Sequence, residues 1–142
     1  MLEVVGARPT EQASGAAGRM GETVCEAVDG ADDLELAGRA DPALDAPLSD
    51  LLDGADVVVD FTTPEAAPAN VRACLDAGTH AVVGTTGLDL DDLRAAAEDA
   101  RRAGGTANVL VAPNFAIGAV LMMRFAAEAA RHMPECEIIE LH

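Results

Sequence analysis

The sequence predicts an α/β fold in which helices cover both faces of a doubly wound parallel sheet. Short, almost wholly apolar segments alternate with longer amphipathic ones, a pattern typical of buried parallel strands and surface helices. Apolar residues make up 50% of the 142 residues, but only three aromatic residues occur, all Phe. The core must therefore be built from Ala, Val, Leu and Ile, as in a parallel sheet flanked by Ala-rich helices.

Five short segments have strand character, and two of them are apolar enough to be buried on both faces. In chain order the strands are predicted over Leu34–Gly38, Asp56–Phe61, Ala81–Gly84, Val109–Ala112 and Glu137–Leu141. The residues before the first of these do not fit the alternation. Met1–Val5 is one candidate for the missing first strand; equally, residues 1–14 are an altered lead-in, polar and interrupted by Pro9.

Four longer segments have the apolar spacing of helices: Arg19–Asp29, Thr63–Ala77, Asp89–Ala103 and Ile117–His132. Thr63-Pro64 is suited to cap the second helix, and Pro68 in its first turns delays its start. Glycines end the first three helices, at Gly30, Gly78 and Gly104-Gly105. In the fourth helix we expect an inward-facing set of Ile117, Val120, Leu121 and Phe125.

Composition excludes several classes of function. The net charge is −16, and all nine basic residues are Arg, so the surface repels nucleic acids and anionic membranes. An acidic chain without Lys indicates adaptation to high salt, like that of halophile proteins. The apolar runs are far shorter than a membrane span and no signal peptide is recognised, so we expect a cytoplasmic protein. The cysteines and histidines lack metal-ligand spacing, and no metal site is expected.

A glycine-rich segment precedes the first predicted helix. Gly15, Gly18 and Gly21 form a GxxGxxG pattern, and the loop residues are Gly15, Ala16, Ala17, Gly18, Arg19 and Met20. Such glycines permit a tight turn and a close approach of the backbone to a pyrophosphate, which the N–H groups of the helix N-terminus then bind. Between a strand and a helix, this loop is typical of a Rossmann-like dinucleotide-binding domain.

Asp41 follows the first of the predicted strands, about 20 residues after the glycine loop, where a carboxylate binds the adenosine ribose hydroxyls. A solvated loop carboxylate is the alternative, because other Asp residues lie nearby. Pro42 occupies the next position, where an Arg would bind a 2′-phosphate, so the sequence slightly favours NADH over NADPH. Arg19 and Arg39 are the residues that could still reach such a phosphate.

Three further turns follow successive predicted strands, at the sheet edge where open α/β folds bind ligands. They are residues 60–64 (DFTTP), residues 84–87 (GTTG) and residues 112–118 (APNFAIG). Each turn offers hydroxyl, amide or backbone groups beside an apolar strand end. Their occurrence in order after a glycine loop favours a shared binding site over independent capped turns.

These segments, with residues 138–142 (IIELH), resemble the 4-hydroxy-tetrahydrodipicolinate reductase (dihydrodipicolinate reductase) family over Gly15–His142. The resemblance implies that Gly15 to Met20 bind the pyrophosphate and that Asp41 binds the adenosine ribose. Phe61 and Thr62 would line the nicotinamide ribose. The nicotinamide ring would be positioned by Gly84, Thr85, Thr86, Ala112, Pro113, Asn114 and Phe115. His142 would match the first His of the family's paired-histidine motif, its proton donor.

The resemblance also implies what this chain does in the family reaction. The expected reaction is hydride transfer from NADH or NADPH to the cyclic dicarboxylate substrate, in diaminopimelate and lysine biosynthesis. We interpret residues 1–14 as an atypical lead-in, 15–133 as the nucleotide-binding domain, and 134–142 as the first strand of a truncated substrate domain. The family's second His, catalytic Lys, Ser-Gly-Thr loop and tetramerisation sheet would lie beyond His142.

Without these parts the chain is expected to be inactive alone, poorly associated, and to expose apolar surface near residues 117–141. Two alternatives stay open from the residues themselves: a dinucleotide-binding sensor without catalysis, and another Rossmann reductase such as an aspartate dehydrogenase.

Overall fold

The computed structural model of the chain describes residues 2–3, 10–14, 19–41, 45–133, 135 and 137–139. Its strands are β1 (Leu2–Glu3), β2 (Thr10–Ser14), β3 (Glu35–Ala40), β4 (Ala55–Asp60), β5 (His80–Val83) and β6 (Val109–Val111). Its helices are α1 (Arg19–Asp29), α2 (Ala67–Ala77), α3 (Leu90–Arg102) and α4 (Ile117–Ala129), and a 3-10 turn spans Leu48–Asp50.

Five parallel strands form the body of the sheet in the order β3-β2-β4-β5-β6, while β1 pairs antiparallel with β4. The chain runs outward from β2 to β3, returns across β2 to β4, and continues in the opposite direction to β5 and β6. Because parallel crossovers are right-handed, this reversal puts α1 on one face and α2 and α3 on the other. The predicted doubly wound sheet is confirmed.

The hydrophobic cores follow from these two layers. The larger core lies where α2 and α3 cover β4 and β5, and its fully buried side chains are small or branched, as the composition predicts: Val58, Val71, Cys74 and Val83. On the other layer Cys25 of α1 packs against Leu36 of β3. Thr79, also buried, donates its hydroxyl hydrogen to the Ala55 carbonyl at 3.0 Å and so satisfies both polar groups.

The first three helices begin and end at the residues expected from the sequence, with one exception. Asp89 caps α3, since its carboxylate accepts from the backbone N–H groups of Asp91 and Asp92 at 3.0 and 3.2 Å. Gly78 ends α2 with a left-handed φ of 80°. The exception is the start of α2. The helix begins at Ala67 rather than at Thr63, because Pro68 fits only in a first turn.

Two alternatives were open for the first strand of the parallel sheet, Met1–Val5 or an altered lead-in over residues 1–14; the strand is Thr10–Ser14, so Met1–Val5 is not that strand. β2 lies between β3 and β4 and forms backbone ladders with both, which makes it central despite its polar sequence. Pro9 precedes the strand, so its missing N–H removes no bond from either ladder. Backbone pairing, rather than apolar side chains, defines this strand.

Three expectations about the C-terminal part are wrong. The fourth helix ends at Ala129, short of His132, and residues 137–139 are not a strand. The set expected to face inward is exposed instead, with Ile117 72%, Val120 43%, Leu121 39% and Phe125 64% accessible. The described residues provide no layer over α4 comparable to the one that covers α2, so its apolar side chains remain at the surface. This agrees with the apolar surface expected near residues 117–141.

Within the described residues, no helix combines the length and the apolar character that crossing a membrane requires.

Candidate functional site

The carboxyl ends of five parallel strands lie along one edge of the sheet, which we call the carboxyl edge. The chain leaves β2 in one direction, towards β3, and leaves β4 in the other, towards β5. The chain therefore reverses its direction across the sheet between β2 and β4, and this reversal is a topological switch point. In open α/β sheets this switch point is where ligands bind.

In the chain, the glycine loop follows β2, the first strand at the switch point. β2 ends at Ser14 and α1 begins at Arg19, so residues 15–18 connect the carboxyl end of a central strand to a helix N-terminus. The strand–turn–helix order that the motif requires is therefore present. Met20, in the first turn of α1, is 41% exposed. Gly15, Ala16, Ala17 and Gly18 themselves lie outside the described residues.

Asp41 directly follows β3, the strand on the other side of β2 from β4. The residue is only 9% exposed, and its backbone exchanges hydrogen bonds with Ala46 at 3.0 and 3.3 Å. This short antiparallel bridge fixes the backbone at the carboxyl edge. Pro42, the next residue, lies outside the described residues.

Phe61, Gly84 and Phe115, which come from three different turns, are brought together. The rings of Phe61 and Phe115 pack edge to face with centroids 4.8 Å apart. The Phe61 ring also covers Gly84, where an added Cβ would lie 2.6 Å from Phe61 Cδ1 and 2.7 Å from Cζ. Gly84 therefore has to be glycine for the ring to occupy this position. The three residues form an apolar platform beside the switch point.

A buried carboxylate lies behind this platform. Asp60, the last residue of β4, is 1% exposed. Its Oδ1 accepts from the Thr62 backbone N–H at 2.7 Å and the Thr62 hydroxyl at 2.6 Å, and its Oδ2 accepts from Asn70 Nδ2 at 3.0 Å. The Thr85 hydroxyl lies 3.4 Å from Oδ1 and 3.2 Å from the Thr62 carbonyl oxygen. We call Asp60, Thr62, Asn70 and Thr85 the Asp60 network.

The Asp60 carboxylate affects the pKa of a neighbouring thiol, that of Cys74. Burial, together with the nearby Asp60 carboxylate, raises the pKa of the Cys74 thiol to about 12. Cys74 is fully buried in the core beneath α2. Its thiol therefore stays protonated at neutral pH and serves as a small core side chain.

The two threonines of the GTTG turn differ in their surroundings. Thr85 is 7% exposed and belongs to the Asp60 network, whereas Thr86 is exposed. Thr86 lines a cleft of about 170 Å³ at the carboxyl edge with Pro113, the turn around Gly87–Leu88 and the end of β6. The Ala112 N–H donates to the Val83 carbonyl at 2.9 Å, which ties the third turn to β5, and Asn114 beside it is exposed.

Two larger cavities, of about 380 and 330 Å³, lie along α3 and contain none of the predicted site residues. One is an open groove between α3 and β6, and the other lies between α2 and α3. Neither contains a residue of the three turns, the apolar platform or Asp41, so both lie outside the candidate site. Among the described residues no group of three His, Cys, Asp or Glu side chains is placed to hold a metal ion.

The sequence identified the three turns but not all of the residues that hold them. A structural role of Asp60 was predictable from the sequence, since a carboxylate that ends a run of buried apolar residues needs hydrogen-bond donors from its neighbours. The role of Asn70 was not predictable, because an amide in the first turns of a helix is usually solvated. His142, the predicted proton donor, lies outside the described residues.

Comparison with known proteins agrees with this architecture. Residues 13–115 match the family model described as dihydrodipicolinate reductase, N-terminus. The chain is 52% identical over 128 residues to the 4-hydroxy-tetrahydrodipicolinate reductase of Beutenbergia cavernae and 53% identical over 131 residues to that of Thermobifida fusca. The matches cover 90% of this chain and 51% and 50% of those relatives.

The chain belongs to the dihydrodipicolinate reductase family. It spans about half the length of the curated relatives it matches. Among solved structures, the dipicolinate-bound dihydrodipicolinate reductase from Paenisporosarcina sp. TG-14 superposes with a TM-score of 0.68 at 27% identity. That match covers 87% of this chain and 54% of the other.

The N-terminal domain of this family binds a pyridine nucleotide, NADH or NADPH. The carboxyl edge of this chain carries a buried carboxylate at the end of β3, a helix N-terminus after β2, and an apolar platform with polar turns around it.

The close contact at Gly84 gives a first prediction. In Gly84→Ala the new methyl group displaces the Phe61 ring and breaks its edge-to-face contact with Phe115. We expect the free energy of unfolding to fall by about 1–3 kcal/mol, as for other overpacked sites. Denaturant unfolding measures the loss, and aromatic NMR reports the rings directly, since the chain has three Phe and no Tyr or Trp.

Gly118→Ala is the matched control, because a Cβ at that position meets nothing within 4 Å. It should leave the stability and the Phe61 resonances unchanged or slightly improve the helix. Unaltered Phe61 and Phe115 resonances in Gly84→Ala would contradict the packing described.

Proposed function

We propose that this chain is the cofactor-binding part of an NAD(P)H-dependent reductase acting on 4-hydroxy-tetrahydrodipicolinate. The product would be tetrahydrodipicolinate, on the route to diaminopimelate and lysine. The observation that carries the proposal is the convergence of Phe61, Gly84 and Phe115, from three separate turns, beside the switch point of a sheet of this family. Turns that served only as connections would have no reason to converge there.

The proposed cofactor site extends along the carboxyl edge. Residues 15–20 would bind the pyrophosphate and Asp41 the adenosine ribose. The nicotinamide half would lie against Phe61, Thr62, Gly84, Thr85, Thr86 and residues 112–115. When bound, the cofactor supplies a hydride; the protein holds the ring in a fixed orientation and excludes water from its apolar face.

NADH is the cofactor we propose over NADPH. The Asp41 carboxylate would accept hydrogen bonds from ribose hydroxyls but would repel a 2′-phosphate. Arg39, a candidate for binding that phosphate, instead pairs with Asp29 at 3.7 Å. Asp29 is the last residue of α1, so the pair draws the Arg39 guanidinium away from the helix N-terminus where the phosphates would bind.

Substrate binding is assigned to the part of the reductase that lies outside this chain. In the relative from Paenisporosarcina the bound molecule is dipicolinate, a dicarboxylate. A chain with a net charge of −16 and no Lys is poorly suited to hold a dianion alone. We therefore propose that residues of the substrate-binding part hold the dianion, and that His142 acts with them as proton donor. The same part would form the interfaces of a homotetramer. The assembled reductase would be cytoplasmic.

A non-catalytic sensor or an aspartate dehydrogenase would use the same kind of nucleotide-binding domain. The family match over residues 13–115 and the relatives named as reductases favour the reductase over both.

Replacement of Asp41 tests the cofactor assignment. Asp41→Ala should weaken NADH binding by about 1–3 kcal/mol, because a charged hydrogen-bond acceptor is lost. NADPH binding should fall less or improve, since the repulsion of its 2′-phosphate is removed as well. Calorimetric titration of both cofactors measures the difference.

Asp33→Ala is the control for Asp41→Ala. It removes one negative charge from an exposed turn before β3, at the opposite edge of the sheet, and should leave both affinities unchanged. Equal losses of NADH and NADPH in Asp41→Ala would rule out the ribose assignment.

If this chain binds the cofactor and another part of the reductase binds the substrate, then this chain should bind NADH without reducing substrate. Catalysis requires interactions made in the transition state, and the groups that would bind the dianion lie outside the chain. NADH oxidation with freshly generated substrate should stay at background for the chain and proceed for a full-length relative such as the Thermobifida fusca reductase. Turnover by the 142-residue chain at a comparable rate would refute the proposal.

A further inference from the structure

Asp60 is a buried carboxylate that the proposed cofactor contacts do not use. At 1% exposure it is desolvated, and among the described residues its partners are all neutral donors, from Thr62, Asn70 and Thr85. Burying a carboxylate without a cation costs several kcal/mol before hydrogen bonds offset it. An apolar residue at the end of β4 would avoid this cost, so the carboxylate needs another explanation.

The Asp60 network joins three elements at the carboxyl edge. Asp60 ends β4, Asn70 lies in α2 ten residues along, and Thr85 follows β5. Asn70 Nδ2 lies 3.0 Å from Asp60 Oδ2 and 3.4 Å from the Thr62 hydroxyl oxygen, so a single amide touches both. The Thr85 hydroxyl contacts the Thr62 carbonyl as well as Asp60, which links the second turn to the first.

The network lies directly beside the apolar platform. Phe61 stands between Asp60 and Thr62 in the chain, and Gly84, which the Phe61 ring covers, precedes Thr85. The Gly84 N–H also donates to the Asp60 carbonyl at 2.8 Å. The position of the ring against Gly84 is therefore set on both sides by residues that hydrogen-bond to Asp60.

We propose that Asp60, paired with Asn70, is the positioning residue for the nicotinamide half of the cofactor site. It holds the turns after β4 and β5 at the separation at which the Phe61 ring covers Gly84. The inference rests on the proposed nucleotide binding. The adenosine half is assigned to Asp41 and the loop after β2, and β2 separates the strand that Asp41 follows from the strand that Asp60 ends, so the two halves are probed by different ligands.

Asp60→Asn is the discriminating variant, because it keeps the shape of the side chain. The Asn oxygen can still accept from Thr62, but its NH₂ group faces the NH₂ group of Asn70, and two donors meet. We expect NADH affinity to fall about tenfold or more, while the affinity for ADP, which lacks the nicotinamide ring and its ribose, changes less than about twofold.

The double variant Asp60→Asn/Asn70→Asp exchanges donor and acceptor across the pair and restores its hydrogen bond at unchanged net charge. We expect it to recover NADH affinity to within about threefold of the original chain. Circular dichroism checks that each variant is folded. If Asp60→Asn does not fold, Asn70→Ala leaves the carboxylate with its threonine partners and should show the same selective loss of NADH.

The outcomes separate the inference from the function on which it rests. Equal losses of NADH and ADP, or an unchanged NADH affinity, would overturn the positioning role and leave nucleotide binding intact. Failure of the double variant to recover NADH affinity would overturn the pairing of Asp60 with Asn70. If the original chain binds neither probe, the proposed function fails and the inference with it.

Discussion

The pairing of β2 with β3 on one side and β4 on the other is the constraint on which the site depends. Because both ladders are parallel, the loops after these three strands emerge at the same edge of the sheet. Because the chain leaves β2 and β4 in opposite directions, the topological switch point lies between these two strands. The positions of the N-terminus of α1 and of Asp41 at this edge follow from the same arrangement.

The other half of the site depends on polar groups that bind each other rather than solvent. The turns after β4, β5 and β6 are short and rich in Gly, Thr and Pro, and sequence alone would let each adopt several conformations. Hydrogen bonds from Thr62 and Thr85 to Asp60, and the contact of Phe61 with Gly84, select one. A polar network of this kind contributes specificity more than net stability, since its desolvation offsets much of its bonding.

Periodicity and turn residues predicted the doubly wound sheet, the helix ends at Gly78 and Asp89, and the three turns that carry the site. The N-terminal strand was not predictable from its side chains, because β2 is held by two backbone ladders and its sequence is polar. The spacing of Phe125 and its neighbours on α4 wrongly predicted an inward-facing set, because an apolar stripe indicates that a surface is to be covered but not which element covers it. The role of Asn70 depends on a contact across the fold, which no local pattern encodes.

The central claim is that the carboxyl edge of this domain binds a pyridine dinucleotide, and hydrogen–deuterium exchange of the chain with and without NADH tests it most directly. The account predicts slower exchange on NADH addition in peptides that contain residues 15–20, 41, 61–63, 84–86 and 112–115. Peptides over residues 31–34, 78–79 and 103–107, at the opposite edge, should be unaffected. Protection confined to that opposite edge, or none anywhere at saturating NADH, would contradict the account.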